Sequence, residues 1–223
     1  MAKWLHDHRV FWGQFRQQFH TTGAVLPSGR FLCRALARYV GQTPEGQASQ
    51  GRRILEVGPG TGAATAQIVR RLRPNDHFDL VELNAEFVRR LNERFASEEP
   101  FRKVASQTRI LHQPVEQLPA DTQYDLIISG LPLNNFEVAQ VEKILNVFLR
   151  LLRPGGTLSF FEYIAIRPAR SLLSGSAERK RLQGISLALT RVLGPHEFRR
   201  DWVLPNVLPA WVHHVRLPAK ANS

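Results

Sequence analysis

Between Arg53 and Gly62 the chain reads Arg-Ile-Leu-Glu-Val-Gly-Pro-Gly-Thr-Gly. Ile54, Leu55 and Val57 have the apolar character of a buried parallel strand. Gly58, Gly60 and Gly62 then predict a sharp turn, because only glycine bends this tightly and lets a ligand approach the backbone. Ala63, Ala64, Ala66, Ile68, Val69 and Leu72 follow at helical spacing. A strand, a glycine turn and a helix in this order restrict the chain to an open α/β sheet, whose ligands sit beyond the carboxyl ends of the strands.

The flanking pattern repeats the theme. Apolar runs at Phe78 to Leu83, Arg109 to His112, Tyr124 to Ser129 and Thr157 to Tyr163 read as further strands. Helical periodicity lies between them, from Asn84 to Phe95 and from Glu137 to Leu152, where Arg153-Pro154-Gly155-Gly156 ends it. Ser28 is the expected N-cap of an earlier helix carrying Phe31, Leu32, Ala35, Leu36 and Tyr39. Gly41 to Gly51 is a polar connector. A helix from about Ser176 to Leu193 precedes two late strands, Phe198 to Leu204 and Ala210 to Leu217. The expected fold is α/β: a doubly wound, mostly parallel sheet with a C-terminal antiparallel strand pair.

Charge and sulfur content narrow the partners. Thirty Lys and Arg against nineteen Asp and Glu leave a net charge of +11. That balance suits nucleic acid or an acidic membrane, or reflects an Arg-rich proteome. Arg167, Arg170, Arg179, Lys180, Arg181 and Arg191 concentrate it, either as a lipid-docking segment or as a solvated helix face. Trp4, Phe11, Phe15 and Phe19 share one face of an N-terminal amphipathic helix, with Leu5 and Trp12 at its edge. Such a helix suits the membrane interface or a lid. A single cysteine, Cys33, excludes an internal disulfide and a cysteine-based metal site. With no long apolar run and no signal-peptide pattern, the expected location is cytoplasmic, peripheral on the inner face of the cytoplasmic membrane.

Gly58-x-Gly60-x-x-Ala63 fits a permissive dinucleotide fingerprint, but Glu56 inside the strand favours a cationic ligand over a phosphate. No Lys-Ser/Thr follows the glycines, which disfavours an NTPase. Glu82, ending the second strand, can accept ribose hydroxyls. The ordered set Glu56 to Gly62, Glu82, Tyr124 to Ser129 and Leu152 to Gly156 resembles the motifs of class I S-adenosylmethionine (SAM) methyltransferases, which are Rossmann-like. The resemblance implies SAM as cofactor, with Glu56 and the backbone of Gly58, Gly60, Thr61 and Gly62 on its amino-acid end and Glu82 on its ribose. It also implies roles for Val115, through its backbone N–H near the adenine, and for Ser129. Many relatives carry Asp after the third strand; here Gln113-Pro114-Val115-Glu116 stands there.

A second resemblance is to bacterial phospholipid N-methyltransferases, a group that includes ornithine-lipid enzymes and is similar to ribosomal RNA adenine dimethylases. It is carried by Thr22 to Ser28, Ser129 to Phe136 and Trp211 to Arg216. It implies an N-terminal helix and substrate loop over residues 1–28 and a methyltransferase domain over 29–223. Gly23, Pro27, Arg30, Leu131 and Pro132 are the expected substrate-loop residues. The amine of an aminolipid, phosphatidylethanolamine or ornithine lipid, is the expected methyl acceptor, at an anionic membrane surface and with neither nucleic acid nor metal. An RNA adenine N6-methyltransferase and a non-catalytic, membrane-binding SAM-fold module are the rivals. A base methylase usually stacks its base on an aromatic directly after the proline, whereas Leu133 follows Pro132. An ammonium titrates near 10.4 and must lose its proton to react. Tyr163 and Glu162, ending the fifth strand, are the candidates to help, Tyr163 the better because its ring can also hold a cation. His213 and His214 are lesser candidates.

Overall fold

The computed structural model describes residues 29–42, 51–119, 121–164, 176–204 and 209–218. The N-terminal amphipathic helix, Gly23, Pro27, Ser28, most of the 41–51 connector, Arg167 and Arg170 lie outside them. The elements run α1 (Arg30–Leu36), β1 (Arg53–Val57), α2 (Thr65–Ile68), β2 (His77–Glu82), α3 (Ala85–Ser97), α4 (Glu99–Arg102) and β3 (Thr108–His112). They continue as β4 (Tyr124–Ser129), α5 (Val138–Leu151), β5 (Leu152–Tyr163), α6 (Ser176–Leu193), β6 (Glu197–Val203) and β7 (Ala210–Arg216).

The strands form one seven-stranded sheet in the order β3-β2-β1-β4-β5-β7-β6. The first five are parallel; β7 is antiparallel to both its neighbours. Strand β6 therefore runs in the same direction as β1, β4 and β5. Alternation along each strand feeds two cores. Leu55, Val57, Ile127, Leu158 and Phe160 meet Val141, Leu145, Ile185 and Leu189 of α5 and α6. Ile54, Phe78, Leu80, Leu126 and Phe161 meet Leu32, Leu36, Ile68, Leu91 and Phe95 of α1, α2 and α3. Both faces are covered, as a parallel sheet requires.

Three local expectations need correction. The helix after the glycines is regular only from Thr65 to Ile68, with residues 61–64 in a turn. The α1 N-cap is Gly29, without a side-chain cap bond. Strand β5 starts at Leu152, because Arg153 to Gly156 does not simply end a helix. Tyr124 pairs with Leu152 and Leu126 with Thr157 across an irregularity. The Gly155 N–H donates to the Leu217 carbonyl, and the Leu217 N–H to Gly156.

His214 belongs to the frame. It is 0% exposed, with Nδ1 2.8 Å from Ser159 Oγ and Nε2 3.3 Å from Asp201 Oδ2. Arg38, in the turn after α1, donates to the same Asp201 oxygen at 2.6 Å. Burial, against the pull of Asp201, lowers its pKa to about 4. It is a neutral joint between β5, β6 and β7 rather than a proton carrier at neutral pH.

Candidate cofactor and substrate site

Beyond the carboxyl end of β1, Gly58, Gly60 and Gly62 have φ values of 69°, 57° and 81°. Side chains at the three positions would meet different fates. A Cβ on Gly58 would lie 2.5 Å from Leu131 Cδ2, and one on Gly62 2.7 Å from Arg94 Nη1. A Cβ on Gly60 would meet nothing within 4 Å. The turn is thus packed from below and open at its crest, where bare backbone is presented. Arg94 of α3 braces it, donating to the carbonyls of Thr61 and Gly62 at 2.8 Å each. Sequence reasoning missed Arg94, since nothing local ties it to a turn thirty residues earlier.

Glu56 lies beneath the turn, 0% exposed. Its Oε2 accepts from Thr65 Oγ1 at 2.8 Å, while Oε1 is buried without a partner. Burial, offset in part by the Thr65 bond, pushes its pKa up to about 8. A buried carboxyl oxygen lacking a donor is costly unless something cationic or hydrogen-bonding completes it. The ammonium of SAM fits that requirement.

Glu82, 2% exposed, ends β2. Its Oε1 accepts from the N–H groups of Leu83 and Asn84 at 2.8 Å each, and its Oε2 from Gly60 at 3.0 Å. It therefore fixes the crest of the glycine turn as well as the entry to α3. A carboxylate offers about four acceptor positions, so a ribose hydroxyl can join without displacing every N–H. Burial raises its pKa, and the three backbone donors pull it back.

Beside Glu82 opens a cleft of about 450 Å³, open solvent included, between the ends of β2 and β3 and the loop after β4. Val81, Val115, Leu131, Phe136 and Ile144 make it apolar, with Glu82, Gln113 and Glu116 among its polar lining. A flat base suits the apolar walls, with the ribose at Glu82. Val115 opens a short 3-10 turn after Pro114, so its N–H is one that the turn itself leaves unpaired. The structure brings Leu131 to this cleft as well as to the back of Gly58. The Ser129 hydroxyl is buried and accepts from the Leu131 N–H at 3.3 Å, closing its own loop. Pro132 is buried and Thr61 half-buried; Arg30 is exposed on α1, its guanidinium 4.8 Å from the Phe31 ring centre.

Glu162 and Tyr163 point to opposite faces. Tyr163 lies on the α1 side, edge-on to Phe161 at 5.0 Å, and burial raises its pKa. Glu162 lies on the α6 side, its Oε2 3.8 Å from Nε2 of His213. His213 Nδ1 is 3.3 Å from Glu197 Oε1, and Phe160 stacks on the imidazole at 4.8 Å. Glu162 is thus the member of the pair that lies beside a second titratable side chain. Other buried polar atoms without hydrogen-bond partners gather at the same sheet edge: both amide atoms of Asn134 and the Trp211 Nε1. Arg52, at the opposite edge, is an exception. Among the described residues, no group of three or more His, Cys, Asp and Glu could hold a metal ion.

A family model described as a methyltransferase domain matches residues 54–156, which hold the turn, Glu56, Glu82 and the cleft. Fold, site and match together indicate a SAM-dependent methyltransferase that resembles those of class I. It is 29% identical over 155 residues to the ornithine lipid N-methyltransferase of Singulisphaera acidiphila, covering 70% of this chain and 77% of that one. It is 30% identical over 125 residues to the ubiquinone/menaquinone biosynthesis C-methyltransferase UbiE of Azotobacter vinelandii, spanning only 46% of that relative's length. The O-methyltransferase TomG of Streptomyces achromogenes, solved in complex with SAM, shares the fold. That likeness has a TM-score of 0.57 at 17% identity and covers 84% of this chain and 79% of the other.

Proposed function

We propose that the protein methylates the amine head group of a membrane aminolipid, ornithine lipid or phosphatidylethanolamine, at the inner face of the cytoplasmic membrane. The observation that carries this reading is the match to an ornithine lipid N-methyltransferase over most of both chains. The loop after β4 supports it. Phe136, the first aromatic there, is 4% exposed and lines the cleft, so it offers no free face to a flipped base.

When bound, SAM supplies an activated methyl group. Glu56 would hold its ammonium, the crest at Gly60 its amino-acid end, Glu82 its ribose and the apolar cleft its adenine. The substrate amine enters from the carboxyl edge of β4 and β5, and residues 1–28 are the proposed lipid-facing segment. Glu162 accepts the proton that the ammonium must shed, and His213 and Glu197 pass it outward. Positioning and proton removal are then the protein's main contributions.

The deciding experiment feeds labelled methionine to cells expressing the chain and separates their lipids by chromatography. A labelled, methylated aminolipid is expected. Label in ribosomal RNA with none in lipid would replace this reading with the RNA one. Purified protein that binds vesicles but transfers no label would favour a non-catalytic module.

A further inference from the structure

We infer that the end of β6, Trp202 and Leu204, is a docking point for the interfacial layer of an anionic phospholipid bilayer. Trp202 is 63% exposed and Leu204 59%, among the largest exposures of any big apolar side chain described. Single exposed apolar residues are ordinary. These two lie two residues apart, beside Trp211, whose ring centre is 5.2 Å from that of Trp202. The Arg200 guanidinium lies over the Trp211 ring at 4.3 Å. Paired indoles with an adjacent arginine suit the headgroup layer, where one end of a side chain is apolar and the other wet.

Topology supplies the second argument. Because β7 reverses the chain between them, β6 runs with β5, and its end lies on the ligand-binding edge of the sheet. Trp202 pairs with Trp211, and Trp211 with Glu162, so the three occupy one row across adjacent strands. At about 4.8 Å between strands, Trp202 is roughly 10 Å from Glu162. An amphipathic surface element enters about 5–10 Å into the headgroup boundary. Immersing the tip would therefore bring Glu162 to the depth of lipid head groups, with the chain's net charge of +11 drawing it to an anionic surface.

A second copy of the chain fits less well. Edge pairing would use the strand itself, and β6 carries an irregularity between Glu197 and Arg199. It also presents Arg199, Arg200 and Asp201, ion-paired to Asp201, Glu197 and Arg38. Bulges and charges are what keep an edge from pairing. The apolar tip lies beyond that guarded stretch.

This inference takes its purpose from the lipid reading above, but docking is measured without turnover. The intact protein is sedimented with phosphatidylethanolamine–phosphatidylglycerol vesicles, and its tryptophan emission is followed with brominated acyl chains. Wild type should bind and be quenched. Trp202→Phe should lose a substantial part of the quenching. Trp202→Ala with Leu204→Ser should bind at least about tenfold more weakly, with SAM affinity unchanged. Vesicle binding equal to wild type in the double variant, or quenching unaltered in Trp202→Phe, overturns the proposal. So does a wild-type dimer that the double variant turns into a monomer without loss of vesicle binding. Docking without lipid methylation would sink the proposed function and leave this surface standing.

Discussion

Glu56 combines complete burial, one hydrogen bond and one oxygen with no donor. Its pKa near 8 stands well above the usual 4.5, so the folded chain holds this proton more tightly than the unfolded one. Below about 4.5 the carboxyl is neutral in both states and costs nothing. As pH rises from there to 8, stability falls by an amount on the order of 5 kcal/mol. Denaturant titrations of Glu56→Gln should lack that decline. A bound ammonium reverses the preference, so SAM binding near pH 7 should release a proton, visible by calorimetry in buffers of different ionisation enthalpy. Glu56→Gln should abolish the release and weaken binding by about ten- to a hundredfold. Glu82→Ala should behave differently, losing SAM affinity and also about 1–3 kcal/mol of stability, because three backbone donors lose their acceptor. Both acids were legible as carboxylates where strands are apolar. Thr65, Arg94 and the N–H groups that occupy Glu82 were not, because they arise only when the turn folds back on its neighbours.

The glycine turn, the loop after β4 and α6 act together as elements. Gly60→Ala should fold with a loss of about 1–2 kcal/mol from its positive φ, yet bind SAM far more weakly, because the new methyl fills the open crest. Gly58→Ala should lose more stability than that, since its methyl strikes Leu131. Thermal melts with and without SAM separate the two. Arg181 of α6 donates to the carbonyls of Asn134 and Phe136, which ties α6 to the loop that flanks the cleft. It is a positioning residue: Arg181→Ala should lower kcat/KM about tenfold, part of it through weaker SAM binding, since Phe136 of that loop lines the cleft. Arg181→Lys should not restore it, since one ammonium cannot span two carbonyls as the guanidinium fork does. Nothing in the sequence separated Arg181 from its neighbours; the basic run suggested lipid docking or a solvated helix face, and within it Arg181 bonds the loop and Arg191 bonds Glu142. Strand periodicity gave each strand near its true place, while the short helix α4 went unpredicted. The start of β5 at Leu152 escaped it, because the pairing of Gly155 and Gly156 with Leu217 lies sixty residues away.

Across the whole molecule, the late strands were legible as strands but their order was not. Insertion of β7 between β5 and β6 depends on packing against both faces, which no local pattern encodes. That insertion turns the end of β6 toward the same edge as Gly58 and Glu162. The charge of +11 can then be understood as a field rather than a patch. Many described arginines are already committed to carboxylates, among them Arg73 to Asp76, Arg109 to Asp79 and Arg153 to Asp125. On the docking proposal, what remains would act at long range, concentrating the protein near anionic lipid while apolar contacts fix its depth. These two contributions respond differently to salt. Raising ionic strength from about 0.01 M to about 1 M shortens the screening length from roughly 30 Å to roughly 3 Å. Association with phosphatidylglycerol-containing vesicles should weaken steeply over that range, and methyl transfer to lipid in those vesicles should fall with it. SAM affinity should stay constant, because Glu56 and Glu82 are shielded by burial rather than by solvent. The residual high-salt binding should be the part that Trp202→Ala with Leu204→Ser removes. Transfer to vesicle lipid that ignored salt would mean that the net charge takes no part in bringing enzyme and substrate together.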